Sequence, residues 1–115
     1  MIIPKALLDT DTISTLTRKR RYERHPNIIA RASAYEATYG GFTISIITRY
    51  EVMRGLKAKG SAAQVSGFEQ FCQSNEVLAL TDEIVVRGTD IYADLKRRGE
   101  LIGDIDILIA ATALV

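Results

Sequence analysis

Short apolar runs that alternate with longer helix-forming segments are the feature of this sequence that most constrains its fold. The runs are KALL, FTISI and EVLAL, at residues 5–8, 42–46 and 76–80. In the middle run, aromatic and β-branched residues alternate with Thr and Ser, a pattern typical of a strand. Strands that are connected through helices pair in parallel, because a parallel pair needs a crossover connection. The sequence therefore predicts a three-layer α/β/α sandwich around a short parallel sheet, in a single domain over residues 1–115.

Helix start and stop signals divide the rest of the chain. Pro26 opens a helix that Gly40 and Gly41 end, since proline is tolerated in the first turn and glycine favours the C-terminal cap. Further helices are predicted from Thr12, from Thr48, over residues 62–73, from Thr81 to near Gly99, and from Asp104 onward. The last of them, DIDILIAATALV, is apolar on nearly every side, so we expect it to be deeply buried.

Composition narrows the class of protein. Of the 115 residues, 47% are hydrophobic and 25% are charged, as in an ordinary globular domain. The single cysteine, Cys72, excludes a disulfide within the chain and a Cys-rich zinc site, and it suits a reducing cytoplasm. No run of about 18 apolar residues is present, so a membrane span is not expected. The net charge of +1 gives no overall preference for nucleic acid.

The basic residues are concentrated in one stretch, RKRRYERH, at residues 18–25. Two interpretations stay open. The stretch is a solvated surface, or it is a patch in which Arg18, Arg20 and Arg21 contact phosphates near an active site. The only histidine, His25, lies here and is expected at the surface, so zinc or general-base chemistry that depends on histidine has little support.

Carboxylates follow the predicted strands or open the helices beyond them. Asp9 ends the first run, Glu51 lies one helical turn after the second, and Asp106 lies in the first turn of the last helix. Functional groups collect at the carboxyl ends of parallel strands, which selects Asp9. Asp106 shares a helix stripe with apolar residues that should pack towards the sheet, so we expect it to point inward near Asp9. Two carboxylates, or three with Glu51, then converge. Converging carboxylates repel unless a cation neutralises them, and Mg²⁺ or Mn²⁺ does so with oxygen ligands. The sequence therefore favours metal-assisted phosphoryl chemistry.

Each polar candidate also has an ordinary structural interpretation, and these alternatives stay open. Thr48 and Glu51 match a capping box, in which each side chain satisfies a backbone N–H near the other residue. Asp104 is a natural N-cap of the last helix, and Asp11 is expected to cap the first helix. Beyond capping, both are expected to have at most a supporting role behind the metal ligands. Ser45 and Thr48 either bind a phosphate or a metal-bound water, or they only cap.

Three motifs resemble, in order, those of the PIN-domain ribonucleases, and specifically the toxins of VapBC-type toxin–antitoxin pairs. The motifs are LLDTDTIS, ISIITRYEVMRGL and GDIDILIAATAL, which together extend over essentially the whole chain. The matching positions are Asp9, Thr10, Ser45, Thr48, Glu51, Asp106, Ile109, Ala110 and Ala111.

The resemblance implies a Mg²⁺-dependent endoribonuclease toxin that hydrolyses RNA phosphodiester bonds in the cytoplasm. By carry-over, the catalytic metal ligands are Asp9, Glu51 and Asp106, with Ser45 or Thr48 supporting them. The resemblance also implies a homodimer and an antitoxin protein that inserts a segment into the active-site groove. Arg54, one turn beyond Glu51, would meet an RNA phosphate or an antitoxin carboxylate; the ordinary alternative is a surface salt bridge.

Two features keep other functions open. Members of the family continue past the last helix into a short strand and a further acidic or amide site residue, whereas this sequence ends at Val115. One alternative is therefore a shortened, non-catalytic PIN domain that binds antitoxin or RNA. The stretch DTDT also fits the Asp-x-Asp-x-Thr signature of haloacid-dehalogenase-type phosphatases. That alternative is less favoured, because no catalytic lysine follows in a recognisable motif.

Overall fold

Helices and short strands alternate along the part of the chain that the structure, a computed structural model, describes: residues 5–10, 12–13 and 26–115. The elements are α1 (Pro26–Tyr39), β1 (Thr43–Ser45), α2 (Ile46–Lys59), α3 (Ala62–Ser74), β2 (Glu76–Leu78), α4 (Asp82–Arg97) and α5 (Asp104–Leu114). This mostly helical α/β arrangement confirms the predicted fold class. No helix in the described ranges is long and apolar enough to span a bilayer.

The sheet is parallel, as predicted, and contains β1 and β2. Their register pairs Thr43 with Glu76, Ile44 with Val77 and Ser45 with Leu78. Residues 5–9, where the first strand was expected, are irregular and are joined to β1 by the Leu8 N–H, which donates to the Thr43 carbonyl at 3.0 Å.

Two physical reasons explain why the first run is not a strand of the ladder. Lys, Ala and Leu lack the β-branched side chains that favour a pleated strand. In addition, α1 takes the backbone groups of Ala6, since the Tyr35 hydroxyl accepts the Ala6 N–H and donates to the Ala6 carbonyl, both at 3.0 Å. The segment still lies beside β1, and it brings Asp9 to the end of that strand.

The start of α2 differs from the prediction by two residues. The helix begins at Ile46 because Ser45 is its N-cap: the Ser45 hydroxyl accepts the Thr48 N–H at 2.9 Å and donates to Thr48 Oγ1 at 3.1 Å. The capping-box interpretation of Thr48 and Glu51 is therefore wrong, since Glu51 lies more than one turn inside the helix. Strand and helix follow each other with no loop between them.

The predicted bounds of α1, α3 and α4 are confirmed within a residue or two. Gly40 ends α1 with a left-handed backbone (φ +76°), which favours glycine. Thr81 is the N-cap of α4, where its hydroxyl accepts the Ile84 N–H at 3.2 Å.

Helix α5 is less buried than its composition suggests. Its buried residues are Ile107, Ala111 and Thr112, and its last residue, Leu114, is 62% exposed. Its N-cap is Gly103 rather than Asp104, because the backbone of Asp104 is already helical. The helix packs chiefly on α4 and also contacts α2.

The core lies around β1, α2 and α3. Its buried members are Ile13, Ile44, Val52, Met53, Leu56 and Phe68. A row of aromatic rings with centroid separations of 5.8–6.1 Å extends from this core to α1, in the order Phe68, Phe71, Phe42, Tyr35. The β1–α2 junction is thus closely packed on several sides. This packing fixes the direction in which α2 leaves the sheet.

Replacing Ser45 by Ala should lower the free energy of unfolding by about 1–2 kcal/mol, because it removes the cap and leaves the buried Thr48 N–H unpaired. Ser61→Ala is the matched control. Ser61 caps α3 through a solvent-exposed hydrogen bond to the Gln64 N–H at 3.3 Å, so water can replace it and a loss of about 0.5 kcal/mol is expected. Urea denaturation measures both values. Equal losses would contradict the special role of Ser45.

Candidate active site

One cavity collects the three carboxylates that the sequence singles out. It encloses about 290 Å³ and is lined by Asp9, Thr10, Glu51, Asp106 and Ile109. These residues come from the segment after residue 8, from α2 and from α5, which are far apart in the chain. The structure thus brings the predicted ligand candidates together, and their role as metal ligands stays a prediction.

Asp9 is the N-cap of the helical turn that begins at Thr10. Its Oδ1 accepts the Thr12 N–H at 2.8 Å, and its carbonyl accepts the Ile13 N–H at 3.1 Å. The capping role that the sequence suggested for Asp11 therefore belongs to Asp9, while Asp11 lies outside the described residues. A carboxylate has two oxygens and several lone pairs, so capping through Oδ1 leaves Asp9 able to bind a cation.

Two neighbours hold the carboxylate of Glu51. The Thr10 hydroxyl donates a hydrogen bond to Oε1, and Arg54 Nη2 lies 3.7 Å from Oε2. The Glu51 side chain is only 26% exposed, so these contacts orient a largely desolvated charge. The salt bridge foreseen for Arg54 is present, but its length and the half-exposed guanidinium make it weak.

Thr10 is the neighbour whose role sequence reasoning missed. It was part of the recognised motif without a function of its own. The sequence feature that could have revealed this role is the position of Thr10 directly after Asp9, where a helical turn begins at the sheet edge. From there its hydroxyl reaches the carboxylate of α2.

The two aspartates at the start of α5 have different surroundings. Asp106 lines the cavity, whereas Asp104 does not belong to its lining. Both residues are exposed to solvent, so Asp106 faces an open cavity and does not point into the interior as expected. Residues that are two apart point about 200° away from each other around a helix axis, so only one of them can face the cavity. Both carboxylates lie in the first turn, where the helix dipole favours negative charge.

Ser45 and Thr48, the expected supporting residues, do not reach the cavity. They are 1% and 0% exposed, and their hydroxyls are bonded to each other. In this arrangement neither hydroxyl can contact a phosphate or a metal-bound water. They influence the site by fixing the start of α2 and, through it, the position of Glu51.

The basic stretch lies in a part of the chain about which the structure gives no description. Arg18, Arg20 and Arg21 are outside the described residues, so their contact with phosphate stays a prediction. Arg54, by contrast, is in the described part of the chain. It lies beside the cavity because it pairs with Glu51, which lines the cavity.

The donor atoms at the cavity suit a hydrated hard cation. They are carboxylate and hydroxyl oxygens, the ligands that Mg²⁺ and Mn²⁺ prefer. Within the described ranges, no three His, Cys, Asp or Glu side chains lie close enough to enclose an ion by themselves. Mg²⁺ commonly keeps several of its waters and takes only one or two carboxylates, so a roomy cavity with spaced carboxylates fits it better than a closed cage would.

Comparison with known proteins decides the family. The PIN domain model matches residues 6–115, nearly the whole chain. The chain belongs to the PIN-domain family. It is also 32% identical over 111 residues to ribonuclease VapC1 of Methanocaldococcus jannaschii, a match that covers 96% of this chain and 69% of that protein. The resemblance to VapC toxins is thereby confirmed, and the phosphatase alternative is wrong.

Solved structures agree with this assignment. DNA-bound VapBC from Salmonella typhimurium matches this PIN domain with a TM-score of 0.70 and 26% identity, over 96% of this chain and 80% of that one. VapBC2 from Rickettsia felis, bound to a promoter DNA fragment, gives 0.69 at 21% identity, over 93% and 77%. A toxin–antitoxin complex from Klebsiella pneumoniae gives 0.65 at 24% identity, over 96% and 78%. The Rickettsia felis and Klebsiella pneumoniae structures, at 21% and 24% identity, support the fold alone.

Thr10→Val should lower the free energy of unfolding by about 1–2 kcal/mol, because the Glu51 carboxylate then loses its hydroxyl donor without gaining full hydration. Thr10→Ser keeps the donor and should stay within about 0.5 kcal/mol of the wild type. Urea denaturation separates the two variants. Equal effects would mean that the hydroxyl does not hold Glu51 in solution.

Proposed function

We propose that this PIN domain is a metal-dependent endoribonuclease, the toxin of a toxin–antitoxin pair. The observation that carries the proposal is that Asp9, Glu51 and Asp106 line the same cavity. The proposal is also supported by a relative, since the chain is 32% identical to a protein named ribonuclease VapC1. The substrate would be RNA, and the reaction the hydrolysis of a phosphodiester bond in the cytoplasm.

In this proposal Asp9, Glu51 and Asp106 hold a hydrated Mg²⁺, or Mn²⁺ in its place, either directly or through the waters that such an ion keeps. When bound, such an ion lowers the pKa of a coordinated water and stabilises negative charge on the reacting phosphate. Thr10 keeps the Glu51 carboxylate in one orientation through its hydroxyl. That hydroxyl is already donated to Glu51, so Thr10 is poorly placed to act as a nucleophile, and the proposal needs no covalent intermediate.

Two further residues contribute around the cavity. Arg54 carries a fixed positive charge beside Glu51 and is placed to bind a phosphate oxygen of the substrate. Ile109 gives the cavity one apolar wall, and Asp9 and Asp106 remain open to solvent. The chain thus supplies charge and orientation.

The expected protein partner is an antitoxin. A solved neighbour at 26% identity is DNA-bound VapBC from Salmonella typhimurium, so we propose a partner of the same class for this chain. We also propose that the chain is a homodimer. Size-exclusion chromatography with light scattering checks this second point.

Asp106→Asn should reduce Mg²⁺-dependent cleavage of RNA by at least about 100-fold, because it removes one negative ligand from the cavity with little change in shape. Cleavage by the wild type should also disappear in EDTA and return with added Mg²⁺. A gel assay on 5′-labelled single-stranded RNA and on a hairpin RNA measures the rates.

Asp104→Asn is the matched control for this experiment. It removes a charge two residues away in the same helical turn, outside the cavity, and should leave the rate within about threefold of the wild type. Equal losses in both variants, or full activity of Asp106→Asn, would refute the site. A chain that binds RNA and never cleaves it under Mg²⁺ or Mn²⁺ would favour the non-catalytic alternative.

A further inference from the structure

Arg54 is the cation that pairs with a carboxylate of the active-site cavity in the described part of the chain. That cavity, called the carboxylate cavity below, is lined by Asp9, Thr10, Glu51, Asp106 and Ile109. Arg54 Nη2 lies 3.7 Å from Glu51 Oε2. The other ion pairs among the described residues involve acids outside the cavity. The charge of Arg54 therefore belongs to the electrostatics of this cavity.

The guanidinium of Arg54 is kept beside the cavity without being tightly bound. Arg54 is three residues after Glu51 on α2, a spacing that makes the two side chains neighbours on the helix surface. Its guanidinium carbon also lies 5.3 Å from the centre of the Tyr50 ring. The Arg54 side chain is 51% exposed, and the ion pair is long. Little free energy is therefore lost when the guanidinium turns to another anion.

Arg54 opposes the binding of a divalent cation at the cavity. An arginine keeps its positive charge at every physiological pH, so it repels an ion of the same sign. It also competes for the Glu51 carboxylate, since Oε2 faces Arg54 while Oε1 accepts the hydroxyl of Thr10. Without Arg54, the cavity would offer the same carboxylates with less opposition.

The same charge favours a phosphate at the cavity. The three carboxylates carry three negative charges, and a divalent cation compensates only two of them. The one negative charge that remains would repel a phosphate, and Arg54 cancels it. In addition, a guanidinium forms strong hydrogen bonds to phosphate oxygens. Arg54 thus gives up affinity for the ion and gains affinity for the substrate.

We propose that Arg54 acts in opposite directions on the two ligands of the site: it weakens the binding of the divalent cation and strengthens the binding of RNA. The proposal rests on the proposed ribonuclease function, because it describes how that site balances its metal against its substrate. A variant without this charge should hold the ion more tightly and RNA less tightly.

The first measurement is Mn²⁺ binding, followed by electron paramagnetic resonance at low ionic strength without RNA. Arg54→Gln should bind Mn²⁺ about fivefold more tightly, because a unit positive charge beside a water-filled cavity is removed. Arg54→Glu, which reverses the charge, should bind it more tightly still. Arg54→Lys keeps the charge and should stay within about twofold of the wild type.

The second measurement is the binding of a fluorescein-labelled single-stranded 12-nucleotide RNA of mixed sequence, by fluorescence anisotropy in EDTA. Arg54→Gln should weaken this binding about threefold. It should also reduce the slope of log K against log salt concentration by about 0.7, the value for one phosphate contact of a single strand. EDTA prevents metal-dependent cleavage, so the result does not depend on activity.

Lys57→Gln is the matched control. Lys57 is an exposed cation on the same helix, one turn beyond Arg54, and it does not line the cavity. Among the described residues it forms no ion pair. Its loss removes the same charge from α2, and both affinities should stay within about twofold of the wild type. Circular dichroism and urea denaturation confirm that all variants are folded.

Opposite shifts for the two ligands separate the proposal from a merely structural role, since a damaged site would bind both ligands less well. Mn²⁺ binding by Arg54→Gln that is unchanged or weaker, unchanged RNA binding, or equal effects of Lys57→Gln would overturn the proposal. Absence of Mn²⁺ binding in the wild type would overturn it together with the metal site.

The outcomes also distinguish this proposal from the ribonuclease function. Opposite shifts in a chain that never cleaves RNA would support the role of Arg54 and refute the ribonuclease function alone. A chain that cleaves RNA, but whose Mn²⁺ affinity does not respond to the charge at position 54, would refute the role of Arg54 and leave the ribonuclease function standing.

Discussion

The direct junction between β1 and α2 is the constraint on which the rest of the described site depends. Ser45 is both the last residue of the strand and the N-cap of the helix, so no loop separates the sheet from α2. The hydroxyls of Ser45 and Thr48 satisfy each other inside the core. The helix consequently leaves the sheet in one direction, which places Glu51 at the carboxylate cavity.

Each carboxylate of the cavity has its own local stabilising contact or helix position. Asp9 is restrained by its capping bond to the Thr12 N–H, and Glu51 by Thr10 and Arg54. Asp106 lies in the first turn of α5, where the dipole of that helix lowers the cost of its charge. Each carboxylate is thus stabilised separately, and together they leave a polar space that a hydrated divalent ion can fill.

Sequence reasoning reached the fold and the members of the cavity, but it missed several local details. The alternation of FTISI and the start signals at Pro26 and Thr81 act within a few residues, so the helices and the sheet could be predicted. The interpretation of Glu51 as part of a capping box failed because the local pattern fits equally well one turn too late. The helix starts at Ile46 because Ser45 caps it, and the burial of Ser45, a tertiary effect, holds that cap in place.

The same limit explains two errors at the start of the described chain. The role of Asp9 as a cap depends on a helical turn that begins at Thr10, two residues earlier than the sequence suggested. The irregular backbone at residues 5–9 depends on Tyr35 from α1, whose hydroxyl takes both backbone groups of Ala6. Contacts of this kind, between residues far apart in the chain, leave no periodic signal in the sequence.

Equilibrium binding of Mn²⁺, followed by electron paramagnetic resonance with Mg²⁺ as competitor, tests most directly whether the three carboxylates share one metal site. Wild-type protein should show saturable binding that Mg²⁺ displaces. Asp9→Asn, Glu51→Gln and Asp106→Asn should each weaken it at least about 10-fold, and Asp104→Asn should not. Binding that is absent from the wild type, or unchanged in all three cavity variants, would contradict the account.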